Sequence, residues 1–184
     1  MRVLGISGSL RDASYNTKLL RVAGRLLPDD VEFEIWDGLK AVEPYDEDDD
    51  HDPAPAGAQR FRDAIAGADA LLFATPEYNS SIPGQLKNAI DWASRPLATN
   101  VLRNRPAAVI GASAGMFGAV WAQADLRKVL AATGARVVEG EVAVGHAQTR
   151  FDEEGNLTDE NLVEQLDEVV RTLVAQTQPL SIAA

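Results

Sequence analysis

Ala68-Asp69-Ala70-Leu71-Leu72-Phe73-Ala74-Thr75 runs straight into Pro76-Glu77-Tyr78-Asn79. A nearly continuous apolar run of this length, stopped by a residue that lacks an N–H, reads as a strand covered on both faces. A sheet with one wet face would alternate apolar and polar positions instead. Working outward, Pro106 to Ser113 is a second such run and Arg2 to Ser7 a third, while Val31 to Trp36 alternates and Arg136 to Val144 gives a last strand. Between them lie helical patterns: Asn16 to Leu27, with Leu19, Leu20, Ala23, Leu26 and Leu27 at helical spacing, Ala56 to Gly67, and Gly118 to Thr133. Pro83 stands at a first helical position ahead of Leu86, Ala89, Ile90 and Ala93, and Leu162, Leu166, Val169, Val170, Leu173 and Val174 mark a final amphipathic helix. Five strands alternating with helices predict an α/β fold: a doubly wound parallel sheet with helices on both faces, one domain over residues 1–184. Such sheets bind ligands at the carboxyl ends of their strands, which directs attention to the loops after strands one, three and four.

Composition narrows the function. The chain has 184 residues, 46% hydrophobic and 24% charged, with no run long enough to span a membrane. Its start enters a strand pattern at once and lacks the features of a signal peptide, so a cytoplasmic location is expected. No cysteine is present, which excludes disulfides, a thiol nucleophile and a thiolate metal site. The formal charge of −11 opposes general affinity for nucleic acid or anionic membrane. Acids concentrate in Asp37 to Pro55, around Asp46-Glu47-Asp48-Asp49-Asp50-His51-Asp52. A calcium loop counted from Asp46 would need glycine where His51 stands and glutamate where Gly57 stands, so the segment reads as a solvated acidic loop.

The loop after strand one, Gly5 to Thr17, is rich in small hydroxyl residues and ends at a helix start. Unsatisfied N–H groups at a helix N-terminus suit a phosphate. Ser9, Ser14, Asn16 and Thr17 can add side-chain donors, and Arg11 a positive charge; capping by Ser14 or Asn16 explains only one of them. Neither the dinucleotide motif G-x-G-x-x-G nor the triphosphate loop is present, so a monophosphate fits better. In the loop after strand three, Tyr78 offers a flat aromatic surface, and Asn79 can donate and accept at once, as the edge of a flavin or pyrimidine ring requires.

Ser7-Gly8-Ser9-Leu10-Arg11 with Ser14 and Asn16, followed by Pro76-Glu77-Tyr78-Asn79 and by Ile82-Pro83-Gly84-Gln85-Leu86-Lys87-Asn88-Ala89-Ile90-Asp91-Trp92, resembles the NADPH-dependent FMN reductase family. That family includes quinone, chromate and azo-dye reductases, and the resemblance runs from residue 3 to roughly residue 145. It implies a flavodoxin-like sheet of order 2-1-3-4-5, non-covalent FMN, and NADPH or NADH as co-substrate. The acceptor would be a quinone, azo dye, metal oxyanion or free flavin, with no nucleic acid, membrane or metal involved. By the resemblance, Ser9, Arg11, Ser14, Asn16 and Thr17 hold the FMN phosphate. Pro76, Glu77, Tyr78 and Asn79 line the ring, partly through backbone groups, and Ser113, Gly115 and Gly118 complete its site. Tyr78 and Asn79 flank the reacting ring with no acid or base role. Relatives often carry a second glycine where this chain has Ala119. They are usually homodimers or homotetramers with sites near subunit contacts, which makes Trp92 and Trp121 interface candidates, though either can belong to the core.

Two other readings compete. Gly111-Ala112-Ser113-Ala114-Gly115 matches the nucleophile elbow G-x-S-x-G, with Asp125 or Glu139 as acid and His146 as base of a serine hydrolase. That reading leaves the Ser9–Asn16 and Pro76–Asn79 loops without joint purpose. The other is an FMN-binding electron carrier or redox sensor, whose acidic surface would suit a basic partner. Arg95 either meets a nicotinamide-nucleotide phosphate or complements a helix C-terminus.

Overall fold

The computed structural model describes residues 1–177. Its strands are Arg2–Ser7 (β1), Glu32–Trp36 (β2), Ala70–Thr75 (β3), Pro106–Ala112 (β4), Arg136–Val137 (β5) and Ala143–Val144 (β6). The helices are Tyr15–Leu26 (α1), Ala56–Ala66 (α2), Gly84–Ala93 (α3), Val120–Ala132 (α4) and Glu160–Ala175 (α5). The sheet is parallel with order β2-β1-β3-β4-β5, the flavodoxin-like order expected. Every residue of β3 and β4 is buried, which is why those two segments stand out as apolar runs. Successive side chains divide between the faces: Leu72 and Ile110 pack with α1 and α5, Leu71, Phe73 and Val109 with α2, α3 and α4.

The single last strand expected over Arg136 to Val144 is instead two short ones. Both pair with β4, β5 opposite Pro106 and Ala107, β6 opposite Gly111 and Ala112. The interruption has a clear cause. Arg127, on α4, donates to the carbonyls of Val109 and Gly140, so a guanidinium occupies the position where a continuous edge strand would meet the Val109 carbonyl. Gly140, with φ of +124°, lets the chain loop out around it. Helix α4 also starts later than expected, because Gly118 and Ala119 both adopt left-handed backbone, and Pro83 precedes α3 as its cap residue.

The acidic segment is pinned to the helices behind it. Trp92, fully buried, donates its indole N–H to the Glu43 carbonyl at 2.8 Å, so it belongs to the core. Asn88 brackets the same stretch, donating to the Glu43 carbonyl and accepting from the Tyr45 amide. The Glu43 carboxylate closes the N-terminus of α2, accepting from Gly57 and Ala58 at 3.1 Å each. No helix among the described residues is long and apolar enough to cross a membrane.

Burial pushes the Glu43 carboxyl up, but hydrogen bonds from the Gly57 and Ala58 amides and the charge of Arg60 outweigh it, leaving the group below its ordinary value of 4.5. A carboxyl with a depressed folded value stabilises the fold above its unfolded value and loses that contribution as pH falls through the folded one. Glu43→Ala should therefore cost about 1 kcal/mol at neutral pH, the usual worth of a helix cap. Urea unfolding across pH should show a constant gap to the native chain above pH 5 that closes under acid.

Candidate functional site

Three loops leaving β1, β3 and β4 enclose a cleft of about 530 Å³ at the carboxyl edge of the sheet. It is lined by Ser9, Arg11, Tyr15 and Asn16 from the first loop, Pro76, Glu77 and Tyr78 from the second, and Ala112 to Gly115 from the third. The first loop crosses the end of β3 at Gly8, whose amide donates to the Ala74 carbonyl at 2.8 Å. A methyl group on Gly8 would sit 2.9 Å from Leu86 and 3.3 Å from Pro76. Ser14 then caps α1, its hydroxyl accepting from the Thr17 amide, and the Thr17 hydroxyl donates to Ser7 at 3.0 Å. Ser14 and Thr17 thus brace the loop and do not line the cleft. The amides of Tyr15 and Asn16, the first two of the helix, have no protein partner among the described residues. Arg11 makes no ion pair among those residues, and its guanidinium lies 5.0 Å from the centre of the Tyr15 ring. Free helix-end amides beside an unpaired cation make an anion site.

Asn16 is 2% exposed, and both ends of its side chain are engaged. It donates to the Ala112 carbonyl and accepts from the Ala112 amide, each at 2.9 Å. What it leaves open to a ligand is its backbone N–H.

In the second loop, Tyr78 and Ser81 exchange both backbone hydrogen bonds around Asn79 and Ser80, whose φ values are +53° and +61°. That is a tight mirror-image turn, for which asparagine is well suited. It puts Asn79 at an exposed tip outside the cleft lining, while Tyr78 stays at the rim, 53% exposed. Glu77 turns its carboxylate toward α4, where it accepts from the amides of Trp121 and Ala122 at 3.0 Å each.

The third loop is held from behind. His146 and Ala147 donate backbone hydrogen bonds to the carbonyls of Gly115 and Ser113. A methyl group on Gly118 would lie 2.3 Å from the Ala143 backbone, and one on Gly145 would lie 2.1 Å from the Met116 carbonyl oxygen. Gly118 is therefore packed beneath the loop, where only glycine fits, while Ser113 and Gly115 line the cleft. Tyr15 and Gly145 escaped the sequence reading. Tyr15 had a signal in its place between the capping Ser14 and Asn16; Gly145 had none, because Met116, against which it packs, is twenty-nine residues away.

No hydrolytic triad is assembled. Ser113 lacks the left-handed backbone of a strained elbow, and its hydroxyl has one hydrogen bond among the described residues, to the Gly115 carbonyl at 3.4 Å. Asp125 accepts from the Ser81 hydroxyl, Glu139 sits at the interruption between β5 and β6, and His146 is exposed. Arg95 follows α3, which runs back along the sheet from Gly84 for about 14 Å at 1.5 Å per residue. It donates to the Tyr45 hydroxyl at 3.0 Å, away from the cleft.

Comparison with known proteins agrees with this geometry. Residues 1–149 match the family model described as NADPH-dependent FMN reductase. The chain is 44% identical over 174 residues to an NAD(P)H-dependent FMN reductase of Pseudomonas aeruginosa, covering 94% of this chain and 93% of that one. It is 40% identical over 162 residues to a 2-hydroxy-1,4-benzoquinone reductase of a Burkholderia species, covering 88% and 87%. The solved structure of FerB, a flavoenzyme NAD(P)H:(acceptor) oxidoreductase from Paracoccus denitrificans, superposes with a TM-score of 0.82 at 36% identity, covering 96% of each chain.

Removing the Asn16 side chain orphans a buried amide and a buried carbonyl together. Asn16→Ala should cost about 2–4 kcal/mol in urea unfolding, well beyond a single exposed hydrogen bond.

Proposed function

Because the chain belongs to the NADPH-dependent FMN reductase family, we propose that its cleft holds FMN and that the protein is an NAD(P)H oxidoreductase delivering hydride to a quinone-type acceptor. The observation that carries this reading is the convergence, on one cleft, of two unpartnered helix-end amides, the unpaired Arg11, and a largely uncharged wall. The first two fit a phosphate and the third a flat ring. The volume is in the range of cofactor pockets, and the local donors offset the repulsion expected from a net charge of −11.

FMN, when bound, supplies the hydride relay between nicotinamide and acceptor. The chain contributes the rest. The Tyr15 and Asn16 amides, with Ser9 and Arg11, would hold the phosphate. Pro76 to Tyr78 and Ala112 to Gly115, from opposite sides of the cleft, would hold the ring, with Tyr78 at the rim. No side chain is required as general acid or base.

Met116, Phe117 and Trp121 stand beside this cleft, 64%, 52% and 48% exposed, with the Phe117 and Trp121 rings edge to face at 5.0 Å. An apolar patch of this kind suits burial against a second copy of the chain, in a cytoplasmic homodimer or homotetramer.

Purified protein mixed with FMN and freed of excess should keep a flavin absorption band that bleaches with NADPH or NADH under anaerobic conditions. A band that persists with both nicotinamides would point to an electron carrier or sensor instead. Arg11→Ala should weaken FMN binding about tenfold, the worth of one charge-assisted contact. Trp121→Glu should shift sedimentation to the monomer.

A further inference from the structure

The N-terminus of α4 lacks a cap of its own. An ordinary cap residue has extended backbone and folds its side-chain oxygen onto the amides ahead of it. Ala119 has neither property: its φ is +66°, it carries no oxygen, and the first turn contains no acid. A full accounting of the first amides is nonetheless possible. Val120 donates to the Phe117 carbonyl and Gln123 to that of Ala119. The two that remain, Trp121 and Ala122, both donate to one oxygen of Glu77, at 3.0 Å each. The cap of α4 is thus supplied from forty-odd residues upstream, by the loop that forms the opposite side of the cleft. A charged cap at this end is also favoured by the helix dipole.

We infer that Glu77 is a positioning residue, whose carboxylate fastens the loop after β3 to the start of α4 so that both sides of the cleft are set before a ligand enters. The inference rests on the reading of the cleft as an FMN site. A local cap at residue 119 would satisfy α4 equally well but would leave the 76–81 loop free of it. The remote cap makes the two loops one mechanical unit, and it holds the backbone of Trp121, one of the two rings of the exposed aromatic pair.

The test compares Glu77→Ala and Glu77→Gln with Asp159→Ala, which removes the cap of α5 through the Asn161 and Leu162 amides, outside the residues that line the cleft. Amide hydrogen exchange on the FMN-free chain should quicken in Glu77→Ala in both segments, 76–81 and 113–122. In a titration followed by flavin fluorescence, its dissociation constant for FMN should rise about tenfold. Glu77→Gln, which keeps an acceptor oxygen but no charge, should show a rise of about threefold. Asp159→Ala should lower the melting temperature while leaving FMN affinity within twofold of the native chain. The inference is overturned if exchange in Glu77→Ala quickens only in α4, or if this variant melts earlier yet binds FMN like the Asp159 control. If the native chain itself retains no FMN, the cofactor reading falls, and the exchange experiment still decides the coupling of the two loops.

Discussion

The site depends on one buried amide pair. Gly111 and Ser113 donate to the carbonyls of Val142 and Val144, so by the alternation of a strand Ala112 between them turns its N–H and C=O toward β3. There β3 has already ended at Thr75, and Pro76 leaves the sheet. Ala112 would be left with an unpaired donor and acceptor in a buried position. Asn16 fills the gap with a side-chain amide that copies the missing strand residue, donor to acceptor and acceptor to donor. Because Asn16 is the second residue of α1, that substitution also fixes where the helix begins. Its free amides are thereby held over the point where β1, β3 and β4 diverge. The opening of the sheet that forms the cleft and the helix end that faces it are consequences of the same contact.

The acidic chain keeps its charge away from this point by giving carboxylates structural work. Glu43 closes α2, Asp159 closes α5, and Glu77, although on the rim of the cleft, spends one oxygen on the amides of α4. Asp50 pairs with Arg62, and the other acids of that segment stand mostly in solvent. Arg11, by contrast, has no carboxylate partner among the described residues, so its charge is available to a ligand.

What the sequence revealed follows from how each part is held. Strands β3 and β4 were legible because burial on both faces leaves almost every position apolar, and their loops were legible through the motifs they carry. The final strand was misread because its interruption is caused by Arg127, a side chain on another element that takes the place of a ladder hydrogen bond. That the Asn16 side chain is already engaged was hidden for a similar reason: its partner, Ala112, is ninety-six residues away. Trp92 and Trp121 carry no local sign of their difference, yet one is sealed beneath the acidic loop and the other lies open beside the cleft. Composition shows which atoms are polar or large, and only the tertiary fold decides which of them are already satisfied.

Ala119 shows how these choices interlock. A left-handed conformation costs an alanine roughly 1–2 kcal/mol relative to ordinary backbone, a cost glycine escapes. Ala119 is 1% exposed, and burying its methyl group returns about 0.8 kcal/mol, so part of the strain is offset. What is not recovered is the ability to cap. Alanine has no side-chain oxygen to place on the turn ahead of it, and glycine there would be no better. Gly118 and Ala119, which turn the chain under the cleft, offer no capping oxygen, and the cap comes from elsewhere. Glu77 meets that need from the facing loop, and in doing so ties the shape of one side of the cleft to the other.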